Sequence, residues 1–130
     1  MQWDHAQPYC GFTSGRPWLP VGAATSVREQ DGDAASLLSL CRRLLVLRRS
    51  HAALVRGTSE HIVAHGDVLT YERRYGDQRL SIAINMGGEE AAFEGPAGVV
   101  TLSTSAGRDG QALEKGSHSL AAGEAVVVVL

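Results

Sequence analysis

Apolar residues recur every three or four positions between Ala34 and Ser50. Leu37, Leu40, Cys41, Leu44 and Leu47 fall on one helical face. Leu38, Leu45 and Val46 lie off that stripe, so the apolar surface is wider than one neighbour needs and a second partner is expected. Asp33 is placed to cap the N-terminus, while Arg48, Arg49 and His51 suit the negative end of the helix dipole. With Gly57 as a stop signal, the pattern predicts a helix within residues 34–56.

Beyond Gly57 the period shortens to two. Strands are expected at 59–65, 68–75, 78–85, 90–93, 99–103, 117–120 and 124–130. Gly76-Asp77 suits a tight hairpin between 68–75 and 78–85. In the second arm Leu80, Ile82 and Ile84 alternate with Arg79, Ser81 and Ala83. Val126 to Leu130 is apolar at successive positions, which places it centrally in a sheet. The resulting fold class is mainly β: one N-terminal α-helix followed by an antiparallel β-sandwich over 57–130. Residues 1–33 lack a period and hold Pro8, Pro17 and Pro20 with Trp3, Tyr9, Phe12 and Trp18. This irregular extension is expected to cover the open helix face; the alternative is an aromatic platform for a sugar.

Composition narrows the picture. The chain's 130 residues are the size of one domain, and 44% hydrophobic against 20% charged is globular rather than disordered. A net charge of −2 without a basic patch argues against a nucleic-acid partner. The longest apolar run is too short to span a membrane, and no signal-peptide pattern opens the chain, so a cytoplasmic location and no membrane partner are expected. Cys10 and Cys41 read as free thiols.

Few residues suggest chemistry of their own. His61 and His65 are four apart, but on a strand their rings would stand roughly 13 Å apart, so metal binding is not expected. Ser117 and His118 lack a third member for a triad. Glu89-Glu90 reads as a solvated turn, and Arg42, Arg43, Arg48 and Arg49 as a solvated helix face or as salt-bridge partners.

The extension carries more information than its periodicity. Met1-Gln2-Trp3-Asp4, Gly11-Phe12-Thr13 and Pro17-Trp18-Leu19-Pro20-Val21 together resemble a motif of the α-amylase superfamily of glycoside hydrolases, in its α-glucosidase, oligo-1,6-glucosidase and trehalose synthase branch. Arg42-Arg43-Leu44, Leu47-Arg48 and His51 resemble the eighth barrel helix of that family. Leu80 to Asn85 and Glu124 to Val127 resemble strands of its C-terminal β-domain. The resemblance implies the last loop of a (β/α)8 barrel over 1–33, the eighth helix over 34–56 and the C-terminal domain over 57–130. The parent would act on α-glucosidic bonds by a retaining mechanism. It also implies that Gln2, Trp3 and Asp4 lie near substrate at the barrel's C-terminal face, and that an α-glucan or oligosaccharide is met through the parent barrel. No segment matches the family's catalytic blocks, so no catalytic residue, cofactor or metal is expected and this chain alone should not hydrolyse sugars. Two rivals stand beside this reading. One is a free-standing β-sandwich module that binds carbohydrate or a protein without catalysis. The other is a structural remnant that forms a homo-oligomer through its exposed helix face.

Overall fold

The computed structural model describes residues 2–22 and 25–130. Met1, the first residue of the opening motif, lies outside them. The helices are α1 (Val27–Asp31), α2 (Leu37–Ser50) and α3 (Ala52–Arg56). The strands are β1 (Thr58–His65), β2 (Val68–Tyr75), β3 (Gln78–Asn85), β4 (Ala91–Gly95), β5 (Gly98–Ser103), β6 (Ala112–Leu113), β7 (Gly116–Leu120) and β8 (Ala125–Val129). The chain divides into two compact units, with the division after Arg43, inside α2.

The first unit is more ordered than its sequence suggests. Ser26 accepts the Glu29 amide on its hydroxyl, and the Glu29 carboxylate accepts the Ser26 amide, a capping box that starts α1. The Ser-x-x-Glu signature is present in the sequence, but five residues give no apolar period to mark a helix. The cap expected at Asp33 stands at Ser36 instead. Ser36 Oγ accepts the Ser39 amide at 3.2 Å, and its carbonyl accepts Leu40 at 2.9 Å. Asp33 caps the turn before it, taking the Ala35 amide at 2.8 Å.

In place of one helix over 34–56 there are two. At His51 the backbone is extended, and both Ser50 Oγ and His51 Nδ1 turn back to the Leu47 carbonyl, which ends α2. Gly57 closes α3 without the left-handed backbone of a usual glycine cap. Glycine is required there because a Cβ would collide with the Ala53 and Arg74 carbonyls.

The second unit holds an antiparallel six-stranded sheet in the order β1-β2-β3-β8-β5-β6 and a two-stranded sheet β4-β7. The hairpins β1–β2 and β2–β3 turn on the same dipeptide, Gly66-Asp67 and Gly76-Asp77. Each glycine has a positive φ, near 56° and 58°, at the first central position. As its apolar run implied, β8 lies centrally, between β3 and β5. Its Val126 and Val128 join Val68, Ala83, Phe93, Val100, Leu113 and Leu120 in the core between the two sheets. Leu80 and Ile82 on the opposite face close with Ala53 of α3, flanked by Leu54, Tyr71, Ile84, Val127 and Val129. Because β3 has cover on both faces, Ser81 and Ala83 are buried as well as Leu80 and Ile82. A bulge between Val100 and Leu102 lets both of these residues of β5 be buried. Val100 faces the inter-sheet core with Val128, and Leu102 is turned to the opposite face beside Val127. A second bulge in β1 puts His61 at a φ of 50°, a left-handed conformation rare for a residue with a side chain.

Two polar residues secure one end of the sandwich. The buried Asn85 donates Nδ2 to the carbonyls of Glu89 at 2.7 Å and Ala121 at 2.9 Å, and its Oδ1 accepts the Gly87 amide at 2.9 Å. The buried Glu124 accepts Ser103 Oγ at 2.9 Å and Arg108 Nη1 at 3.0 Å on one oxygen, and the Ala121 amide at 2.8 Å on the other. Burial pushes the Glu124 carboxyl up, but the Ala121 amide, the Ser103 hydroxyl and the Arg108 guanidinium outweigh it and hold it below the usual carboxylate range.

Candidate functional site

The segment from Gln2 to Asp4 is held at both backbone edges. The Trp3 and Asp4 amides donate to the Cys10 carbonyl at 2.9 and 3.1 Å. Tyr9, Cys10 and Gly11 share left-handed φ values of 51°, 55° and 67°, and this tight reversal brings the Cys10 carbonyl back to the segment. On the other side the Gln2 and Trp3 carbonyls accept the Val27 and Arg28 amides, the otherwise unpaired first donors of α1.

Side chains complete the frame. Gln2 Nε2 donates to the Gly22 carbonyl at 2.8 Å, and Gln2 Oε1 lies 3.0 Å from His5 Nε2. His5 Nδ1 stands 3.4 Å from Glu29 Oε1. Asp4 accepts the Ala6 amide at 2.9 Å and Arg28 Nη1 at 2.7 Å. The Ala6 amide and the Arg28 guanidinium hold the Asp4 carboxyl below its usual range, and the Ser26 amide does the same for Glu29. Asp4, His5, Ser26, Arg28 and Glu29 line a concavity of about 410 Å³. Of the three residues singled out, Gln2 and Asp4 are spent on internal bonds. Trp3 is half exposed and its indole makes no hydrogen bond among the described residues.

The other aromatics of the extension do not serve as cover. Trp18 is 90% exposed and Phe12 59%, and with Gln2, Tyr9, Pro17 and Leu19 they border a second hollow of about 240 Å³. The helix stripe is open too. In α2 only Leu47 is buried, while Leu37 is 69% exposed and Val46 67%.

The remaining candidates are dispersed along the chain. His61 sits at the bulge of β1 and His65 at its end. His118 is turned from Ser117 to the Glu114 carbonyl at 2.7 Å, its ring 5.6 Å from Phe93. Glu90 accepts Ser119 Oγ at 2.6 Å. Arg42 pairs with Asp31 and Arg48 donates to the Leu54 carbonyl at 2.9 Å. Among the described residues no three histidines, cysteines or carboxylates gather as metal ligands. No described helix is long and apolar enough to cross a membrane. Sequence reasoning passed over Glu124 and Arg108, the best-buried ion pair among those described, because they lie 16 positions apart on separate loops.

Comparison with known proteins places this framework. No family model matches the chain. It is 35% identical over 99 residues to a probable α-glucosidase of Rhizobium meliloti, covering 74% of this chain. It is 36% identical over 104 residues to the oligo-1,6-glucosidase of Halalkalibacterium halodurans, covering 77% of it. The chain is related to α-glucosidases of the α-amylase superfamily and corresponds to their C-terminal part. It spans about 18% of the length of these α-glucosidase-type relatives. The fold agrees. The trehalulose synthase MutB from Pseudomonas mesoacidophila MX-45 superposes with a TM-score of 0.86 at 24% identity, over 98% of this chain and 24% of its own. The isomaltulose synthase from Klebsiella sp. LX3 gives the same score, identity and coverage.

Proposed function

We propose that this chain serves as the supporting C-terminal part of an α-glucosidase-type hydrolase whose catalytic groups reside in a (β/α)8 barrel. The observation that carries this reading is the open apolar face of α2, where Leu37, Leu44, Leu45 and Val46 are exposed on the helix whose sequence resembles the eighth barrel helix of such enzymes. A retaining glycosidase needs a carboxylate nucleophile and, about 5–5.5 Å away, a carboxylic acid whose proton is held at working pH. The carboxyls of Asp4, Glu29 and Glu124 are shifted the opposite way: internal hydrogen bonds lower their pKa and favour the ionised form. Every described strand pairing is antiparallel, unlike the parallel strands of a barrel.

In this reading the Gln2–Asp4 loop stands at the rim of the parent's glucose pocket. Gln2 and Asp4 set the loop, and the free indole of Trp3 faces the sugar. The parent meets its α-glucan or oligosaccharide through the barrel and works in the cytoplasm. The test is to measure isomaltose and maltose turnover by this chain alone and by a chimaera carrying it in place of the C-terminal part of the Rhizobium meliloti relative. The chain alone should be inactive and the chimaera active. Turnover by the isolated chain, or a folded but inert chimaera, defeats the reading.

A further inference from the structure

A concavity of about 550 Å³ lies in the second unit, and none of its lining residues comes from the Gln2–Asp4 loop. Its apolar wall is Leu54, Ile62 and Leu69, and its polar groups include Arg48, Arg73 and Tyr71. No aspartate or glutamate is among the described residues that line it. The sheet register explains this: Ser59, Leu69, Tyr71 and Arg73 share one face of β1–β2, while Glu60 and Glu72 are paired on the other.

Both guanidinium groups are held without being neutralised. Arg73 donates Nε to the Ala53 carbonyl at 3.2 Å, Nη1 to Ser59 Oγ at 2.6 Å and Nη2 to the Gly57 carbonyl at 2.5 Å. Arg48 donates one Nη1 bond, to the Leu54 carbonyl. A guanidinium carries five N–H donors, so two remain on Arg73 and four on Arg48. Neither arginine forms an ion pair among the described residues, and the Tyr71 hydroxyl makes no hydrogen bond among them. Carbonyl bonds fix a guanidinium in place while leaving its formal charge for a ligand. Apolar walls with a few polar donors are the usual make-up of a small-molecule site.

We propose that this concavity binds a small organic anion, a carboxylate or phosphate monoester whose head meets Arg48, Arg73 and Tyr71 and whose apolar body lies on Leu54, Ile62 and Leu69. The site is independent of the glycosidase reading and stands or falls without it.

The test uses the full chain with methyl-labelled leucine and isoleucine, titrated by NMR with benzoate, phenyl phosphate, inorganic phosphate and uncharged benzyl alcohol. Benzoate or phenyl phosphate should produce saturable shifts at Leu54, Ile62 and Leu69, and the tighter of the two identifies the head group. Inorganic phosphate should bind more weakly for want of an apolar body. Arg48→Gln should weaken binding by about tenfold, the loss of one charge-assisted hydrogen bond. Tyr71→Phe, which keeps the ring and the packing, should weaken it a few-fold. Arg73 is left intact because it holds the loop after α3. No saturable shift below about 10 mM, an equal response to benzyl alcohol, or unchanged binding in Arg48→Gln would overturn the proposal.

Discussion

Glu124 shows how one side chain decides the fate of several loops. Its carboxylate meets Ser103, Arg108 and Ala121, so the connections after β5 and before β8 are tied at one point. Removing one partner of a buried ion pair leaves the other charge uncompensated, and Glu124→Gln should cost roughly 3 kcal/mol in urea unfolding at neutral pH. The pH dependence has a defined sign. The folded carboxyl ionises more readily than an unfolded glutamate, so its stabilisation is complete above the unfolded value of about 4.3 and is lost as pH falls through the lower folded value. Glu124→Gln should therefore flatten the acid limb of stability below about pH 4.3. An acid limb as steep as that of the parent chain would show that other groups set it. Glu124 was legible in the sequence only as part of a resemblance, because its partners come from distant loops.

At the scale of elements, the strongly periodic segments were readable and the short ones were not. The hairpin about Gly76-Asp77 and the apolar β8 emerge from pattern because strand period and turn chemistry are local. The five-residue α1 has too few turns for a period, yet it is fixed by a capping box. Ser26→Ala should remove about 1 kcal/mol from α1, read as faster amide exchange at Glu29 to Asp31 with little change in the strands. Equal loss of protection in β3 would mean that the two units unfold together. The break of α2 at His51 was hidden for a related reason: Ser50 and His51 end the helix by bonding back to the Leu47 carbonyl, which no hydrophobic pattern records.

For the whole molecule, the open face of α2 is the governing feature. Leucines and valines left in water each forfeit about 1.5–3 kcal/mol of burial, and such a patch drives association when no partner covers it. The isolated chain should self-associate in sedimentation at rising concentration, and Val46→Glu should shift it towards monomer. A chain that stays monomeric at every concentration would remove that expectation. The sequence by itself determined the mainly β class, the central place of β8 and the kinship with α-glucosidases, because strand period, turn residues and an ordered motif are written along the chain. Only the tertiary structure decided that Gln2 and Asp4 turn inward, that Glu124 meets Arg108, and that Arg48, Arg73 and Tyr71 line one hollow. Those outcomes depend on which distant residues the sheet register and loop closure bring face to face, and spacing along the chain does not encode that.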